Sequence, residues 1–316
     1  MAEQKVIAVV GATGSQGGGL VRAIQSDPDG EFRARAITRD PNSEAAQALA
    51  ATGAEVVQGD LDDPASIESA FQGAHGAYCV TFFWAHFSPD TEGKHAQTMA
   101  KAAKDAGVEH VIWSTLEDTR QWVPIDDDRM PTLQEKYTCP HYDSKAQVDH
   151  VFTDAGVPTT FLRTSFYWDN MILFGMGPKR GEDGKLVFTL PMADKRLPSM
   201  AAEDIGKAAL GIFKRGDEFI GKTVGISGAF LTGEQFADSL SKAYGEEVTY
   251  NAVTPDVYRS FGFPGADDIG NMFQVKSDFE QEYTGNRDLE LTRSLNPELQ
   301  TLDQWLAENK DKIPLE

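Results

Sequence analysis

The run HYDSK sets an imidazole, His141, four positions before a primary amine, Lys145, and a phenol, Tyr142, only three before it. Positions four apart share one face of a helix, so the partner of Lys145 is His141, and Tyr142 is offset by one. Such a pair is suited to protonating a carbonyl or imine after hydride delivery, since imidazole titrates near ~6.5 when unperturbed. The same residues admit a plainer reading, in which His141 caps the helix start or packs beside a pocket kept without its chemistry.

A second set of residues suits phosphate. VIAVVGATGSQGGG puts Gly11, Gly14 and Gly17 directly after a buried-strand pattern and at the opening of a helix. Glycines there permit a tight turn and let backbone N–H groups approach a pyrophosphate on the positive end of the helix. At the end of the second strand a carboxylate would bind the ribose 2′-hydroxyl of NAD, yet the chain offers Thr38 and Arg39, with Asp40 one place later. A guanidinium matches an adenosine 2′-phosphate, so NADP(H) is the expected cofactor. Asp60, at the third strand end, either accepts from the adenine amino group with Leu61 over the ring or is a turn residue. Thr81-Phe82-Phe83-Trp84 ends the fourth strand beside the expected cleft, with Phe83 and Trp84 as lining or core. Ser114 ends the fifth as a substrate-polarising hydroxyl or a strand-end cap.

These groups converge only if the intervening segments form parallel βαβ units. Short β-branched runs predict strands over 6–10, 33–38, 55–58, 77–81, 110–114 and 159–163, and helices over 16–25, 64–71, 91–106 and 142–155. Gly73, Gly76, Gly107 and Gly156 fall where left-handed helix caps are expected. The fold class is α/β: a doubly wound Rossmann-type parallel sheet, in the order 3-2-1-4-5-6, over residues 1–164. Residues 165–316 are expected to add sheet extensions and a smaller C-terminal α+β lobe across a soft boundary. Capping boxes at Thr232-x-x-Gln235 and Thr301-x-x-Gln304, with Asn296-Pro297, mark three late helix starts.

Composition narrows the function. Forty-nine acidic against 29 basic residues give a formal charge of −20 over 316 residues, a field that repels nucleic-acid backbones and anionic membranes. No apolar run approaches the ~20 residues of a membrane span, and the first residues lead into a strand without a signal-peptide pattern, so a cytoplasmic protein is expected. Two cysteines, Cys79 and Cys139, fit buried free thiols. Asp126-Asp127-Asp128 reads as a solvated loop, and no His/Cys cluster has metal-ligand spacing.

GATGSQGGG, ITRDP, VVQGDLDD, the HYDSK helix start, SFYWDN, GFPGADDIGNMF and LNPELQTLDQWL together resemble the NmrA-like family, an atypical branch of the short-chain dehydrogenases/reductases, almost end to end. HYDSK stands where that superfamily carries its catalytic Tyr-x-x-x-Lys, and relatives often carry phenylalanine at Tyr142. The resemblance implies pyrophosphate contacts from Gly11, Thr13, Gly14, Ser15, Gln16 and Gly17 and a 2′-phosphate contact from Arg39. It also implies adenine contacts from Asp60 and Leu61, contacts along the cofactor from Thr81 and Phe82, a ribose contact from Lys145, and a nicotinamide-end wall of Tyr167, Trp168, Asp169 and Asn170. The family it resembles includes an NADPH sensor with a second basic residue shortly after the arginine; this chain has Asn42-Ser43 there, so a weaker 2′-phosphate grip is expected. The preferred reading is a redox sensor or regulator whose conformation, self-association as a homodimer, or binding of a protein partner follows cofactor state. The alternative is an NADPH-dependent reductase of small aromatic carbonyl, imine or quinone-like substrates, with His141 as proton donor and Ser114 polarising the acceptor.

Overall fold

Val6 to Val10 are buried on both faces, and the alternation of their side chains divides them between two cores. Ile7 and Val9 point into one apolar cluster, while Val6, Ala8 and Val10 point into another. A computed structural model describes residues 4–316. Its first part runs β1 (Lys5–Val9), α1 (Ser15–Ser26), β2 (Phe32–Thr38), α2 (Glu44–Ala51), β3 (Glu55–Gln58), α3 (Pro64–Phe71), β4 (Gly76–Cys79), α4 (Pro89–Asp105), β5 (His110–Thr115), α5 (Pro140–Gln147), α6 (Asp149–Asp154) and β6 (Thr159–Arg163). The second part runs β7 (Phe166–Tyr167), α7 (Asn170–Leu173), β8 (Lys179–Arg180), β9 (Leu186–Leu190), β10 (Leu197–Met200), α8 (Ala202–Arg215), β11 (Thr223–Gly225), β12 (Ala229–Leu231), α9 (Gly233–Tyr244), β13 (Val248–Ala252), α10 (Pro255–Arg259), α11 (Ala266–Asp278), α12 (Glu280–Gly285), α13 (Leu289–Leu295) and α14 (Leu302–Asn309).

Strands β11-β6-β5-β4-β1-β2-β3 form one seven-stranded parallel sheet, which is the expected doubly wound order with β11 added beyond β6. Helices α1 and α8 supply Leu20, Ile205 and Ile212 to one face; α3, α4 and α6 supply Ile67, Met99 and Phe152 to the other. Two three-stranded sheets, β12-β10-β7 and β13-β9-β8, accompany a third core around Trp168, Phe188, Phe236, Phe273 and Trp305. Among the described residues, no helix is long and apolar enough to cross a membrane.

The chain returns to the first sheet late. α8 packs on α1 so closely that a Cβ at Gly206 would lie 2.1 Å from the Leu20 nitrogen. Gly206→Ala is therefore expected to destabilise the fold by at least about 1–3 kcal/mol, read as a lower urea midpoint, because backbone rather than a flexible side chain must move.

Three local expectations need correction. The helix predicted over 142–155 is two helices, breaking at Val148, after which the Asp149 carboxylate receives the Trp113 indole N–H at 2.8 Å and the Thr115 hydroxyl at 2.6 Å. Asn296-Pro297 starts no helix; Asn296 accepts from the Glu298 N–H at 3.1 Å in a turn, and its amide donates to Asp204. Gly76 is no left-handed cap but the first residue of β4, pressed against Ile7, whereas Gly73, Gly107 and Gly156 do adopt positive φ. The two late capping boxes are both formed, at α9 and α14. Cys79 and Cys139 are free and buried.

Candidate functional site

The glycine loop links β1 to α1. Gly11 sits at φ 64°, its carbonyl receives the Gly14 N–H at 2.9 Å, and a Cβ at Gly17 would lie 2.5 Å from that carbonyl. Gly14 caps α1 without a side chain, and the first turn holds no acidic residue. The positive helix end is thus free of side-chain competitors, a cradle that fits a dinucleotide pyrophosphate. Thr13 is exposed and Ser15 half-buried at its rim.

Gln16 ties this loop to the strand ends. Its amide donates to the Tyr167 hydroxyl at 2.7 Å, and its carbonyl accepts from the Ser114 hydroxyl at 2.8 Å and from the Tyr78 hydroxyl. Ser114 therefore gives its proton to Gln16 and has none to spare for polarising a substrate in this arrangement. The Tyr167 hydroxyl also pairs with Thr164 at 3.1 Å.

Arg39 follows β2, exposed and, among the described residues, without an ion pair. Ser43 accepts from the Ala46 N–H as the cap of α2, a helix absent from the expected elements. Asp60 serves as a turn residue: its carboxylate accepts from the Asp62 N–H at 3.1 Å, and its own N–H donates to Ser66 at 2.9 Å. Leu61 is half-buried against the α3/α4 core. Phe82 is 58 % exposed after β4, whereas Phe83 is buried with its ring centroid 6.2 Å from that of His141.

The four residues proposed as a nicotinamide-end wall divide. Tyr167 stays with the glycine loop, but the Trp168 side chain is fully buried against Trp305 and offers nothing to a cleft. Adjacent side chains at a strand point to opposite faces, which sends Trp168 into the C-terminal core. Asp169 accepts from the Ala202 N–H at 2.8 Å at the start of α8, and burial holds its carboxyl above the usual range. Asn170 begins α7, half-buried.

Each side chain of HYDSK goes its own way. Asp143 is fully buried and accepts from the N–H groups of Thr119 at 2.7 Å, Thr138 at 2.8 Å and Cys139 at 3.0 Å, pinning the loop that precedes α5. The Tyr142 hydroxyl pairs with that of Tyr283 at 3.0 Å, both side chains buried in the C-terminal core. Lys145 turns its ammonium to Thr81 and to the buried carboxylate of Glu92, 3.1 Å away. Both oxygens of Asp268, on α11, hold His141: one accepts the backbone N–H at 3.0 Å and the other Nδ1 at 2.6 Å. A carboxylate only accepts, so Nδ1 carries the proton and Nε2 is the atom left for proton exchange. The imidazole lies against Trp84, with ring centroids 4.7 Å apart, and Trp84 in turn packs on Gly265, whose Cβ would lie 2.7 Å from the indole.

A model of the NmrA-like family matches residues 3–313. The chain belongs to the NmrA-like family. It is 31% identical over 286 residues, 85% of this chain and 82% of the relative, to the NmrA-like family domain-containing oxidoreductase FrzB of a Cladobotryum species. Among solved structures it is similar to NmrA, a negative transcriptional regulator in complex with NAD, with a TM-score of 0.78, 25% identity and coverage of 96% and 95% of the two chains. The triphenylmethane reductase of a Citrobacter species, complexed with NADP(H), shares the fold at a TM-score of 0.71 and 22% identity, covering 96% of this chain and 99% of its own. NmrA-like chains thus include oxidoreductases and a regulator by name, and the side chains around HYDSK bear on which kind this one is. Asp268 and Glu92 were absent from the sequence-derived site, and they are the carboxylates that orient its two basic side chains.

Proposed function

We propose that this NmrA-like protein is an NADP(H)-dependent reductase in which His141 gives a proton to the substrate. The observation that carries this reading is the two-point grip of Asp268 on His141. A buried carboxylate on Nδ1 fixes the tautomer and stabilises the imidazolium, the service that an acid on Nε2 requires. A histidine that merely packed beside a pocket would not need it. When bound, the reduced nicotinamide supplies hydride. His141 then releases its Nε2 proton to the oxygen or nitrogen of the acceptor and returns to the neutral tautomer that Asp268 already holds. Phe83 and Trp84 place aromatic surface against the imidazole, which suits a small aromatic carbonyl, imine or quinone-like acceptor.

The glycine loop, Arg39 and Lys145 are assigned to the pyrophosphate, the 2′-phosphate and the nicotinamide ribose, in keeping with relatives solved with NAD or NADP(H). Arg39→Ala is expected to weaken NADPH on the order of tenfold and NADH by much less, because the charge of the guanidinium answers the 2′-phosphate that NADH lacks. Equal losses for both cofactors by calorimetry would remove that assignment. The activity itself is tested by NADPH oxidation with a panel of aldehydes, quinones and cyclic imines, followed by nicotinamide absorbance. No turnover across the panel, with saturable NADPH binding, argues for the second reading: a regulator that follows cofactor state, favoured by the structural likeness to NmrA. Such a device needs states of unequal cofactor affinity, so NADPH must change its hydrodynamic size or partner binding.

A further inference from the structure

Lys145 arrives at the end of β4 with every donor engaged. An ammonium has three N–H groups, and here they meet Thr81 Oγ1, the Thr81 carbonyl at 3.2 Å and Glu92 Oε2 at 3.1 Å. Glu92 lies in the first turn of α4, with no exposure to solvent. The Thr81 hydroxyl donates to the same Oε2, so threonine, lysine and glutamate close a small ring of hydrogen bonds. The other oxygen, Oε1, lies 3.5 Å from His86 Nε2. His86 Nδ1 accepts the Ser88 N–H at 3.0 Å, so the neutral ring carries its proton on Nε2, toward Glu92. The indole of Trp113 lies 5.6 Å from the ammonium. Burial works to raise the Glu92 carboxyl, but Lys145, His86 and Thr81 outweigh it and bring it down to about 2. Glu92 thus presents to Lys145 an oxygen that also accepts the Thr81 hydroxyl proton.

We infer that Glu92 is a positioning residue that clamps Lys145 at the carboxyl end of β4, where cofactors of doubly wound sheets bind, without itself touching the cofactor. The inference rests on the assignment of Lys145 to the nicotinamide ribose. A long lysine side chain that is already clamped surrenders little rotamer freedom when a ligand arrives, and its ammonium keeps a counter-charge after water has left. A ligand oxygen must replace one of the three acceptors, and the longest contact, to the Thr81 carbonyl, is the easiest to exchange.

The test uses NADPH dissociation constants from tryptophan fluorescence for wild type, Lys145→Met, Glu92→Gln and the double variant. Each single change is expected to weaken binding on the order of tenfold, as for one charge-assisted hydrogen bond, and the double variant is expected to be no worse than either. NMR of protein carrying 15N at the lysine side chains supplies a readout that general loosening does not mimic. The wild type should show a slowly exchanging ammonium resonance that is absent from Lys145→Met and lost in folded Glu92→Gln. If Lys145→Met weakens NADPH and folded Glu92→Gln does not, the clamp is refuted while the ribose assignment stands. If Lys145→Met binds NADPH normally, both go. Should Glu92→Gln fail to fold, a wild-type Lys145 ammonium in fast exchange with water still overturns the clamp.

Discussion

His141→Phe is expected to lower turnover by roughly 10²- to 10⁴-fold with whichever acceptor from the panel reacts, while leaving NADPH affinity within about threefold. Phenylalanine keeps the contacts with Trp84 and Tyr142 but has no proton to give. Asp268→Asn should lose nearly as much, for a different reason. Asparagine can present an N–H to Nδ1, which favours the tautomer with the proton on the wrong nitrogen for return to the Asp268-held state, and it removes the charge that stabilises the imidazolium. The double variant should be no slower than His141→Phe, because the two residues act as one unit. Wild-type turnover in Asp268→Asn, with His141→Phe inactive, would make Asp268 a helix-packing residue. Wild-type turnover in His141→Phe would remove the acid from the mechanism altogether.

The sheet was readable because its strands are covered on both faces, so β1 and β5 stand out as apolar runs between helical segments. α2 carried a signal that went unused: Ser43 before an alanine-rich stretch is a capped helix start. His141 and Lys145 were readable from their spacing on one helix. Their carboxylate partners were not, because Asp268 lies 127 positions from His141 and Glu92 lies 53 from Lys145. In sequence, each is one acid among 49, and only the fold separates the buried ones from the solvated ones. Trp168 erred in the opposite direction. Its neighbour Tyr167 does reach the glycine loop, and a one-residue step along an extended segment reverses the side chain.

The largest stability effect is expected beneath the site, where Glu117 and Arg287 form an ion pair with both side chains wholly buried. Arg287 also donates to the Thr164 carbonyl at 2.8 Å and lies over the Tyr283 ring, 3.8 Å from its centroid. Nearby, Lys276 is buried among Tyr142, Phe273 and Tyr283 with a Met272 sulfur contact at 3.3 Å and, among the described residues, no salt bridge, and burial together with Arg287 lowers it to about 7. Glu117 thus supplies the anion for Arg287 in a pocket that also holds the Lys276 amine. Glu117→Gln leaves the buried Arg287 guanidinium without its anion and should destabilise the fold by about 3–5 kcal/mol in urea denaturation, whereas Arg287→Met leaves a buried carboxyl that can take up a proton and should cost less. Equal effects would mean that the Glu117 carboxyl finds no relief by protonation when the guanidinium is gone. Burial tends to raise the Glu117 carboxyl, yet Arg287 holds it below its usual value. The folded state therefore binds this proton less readily than the unfolded chain, so the stabilisation is complete above the unfolded carboxylate range and is lost as pH falls through the lower folded value. Arg287→Met should consequently flatten the acid side of the stability profile, because the carboxyl then titrates without the guanidinium that held it down.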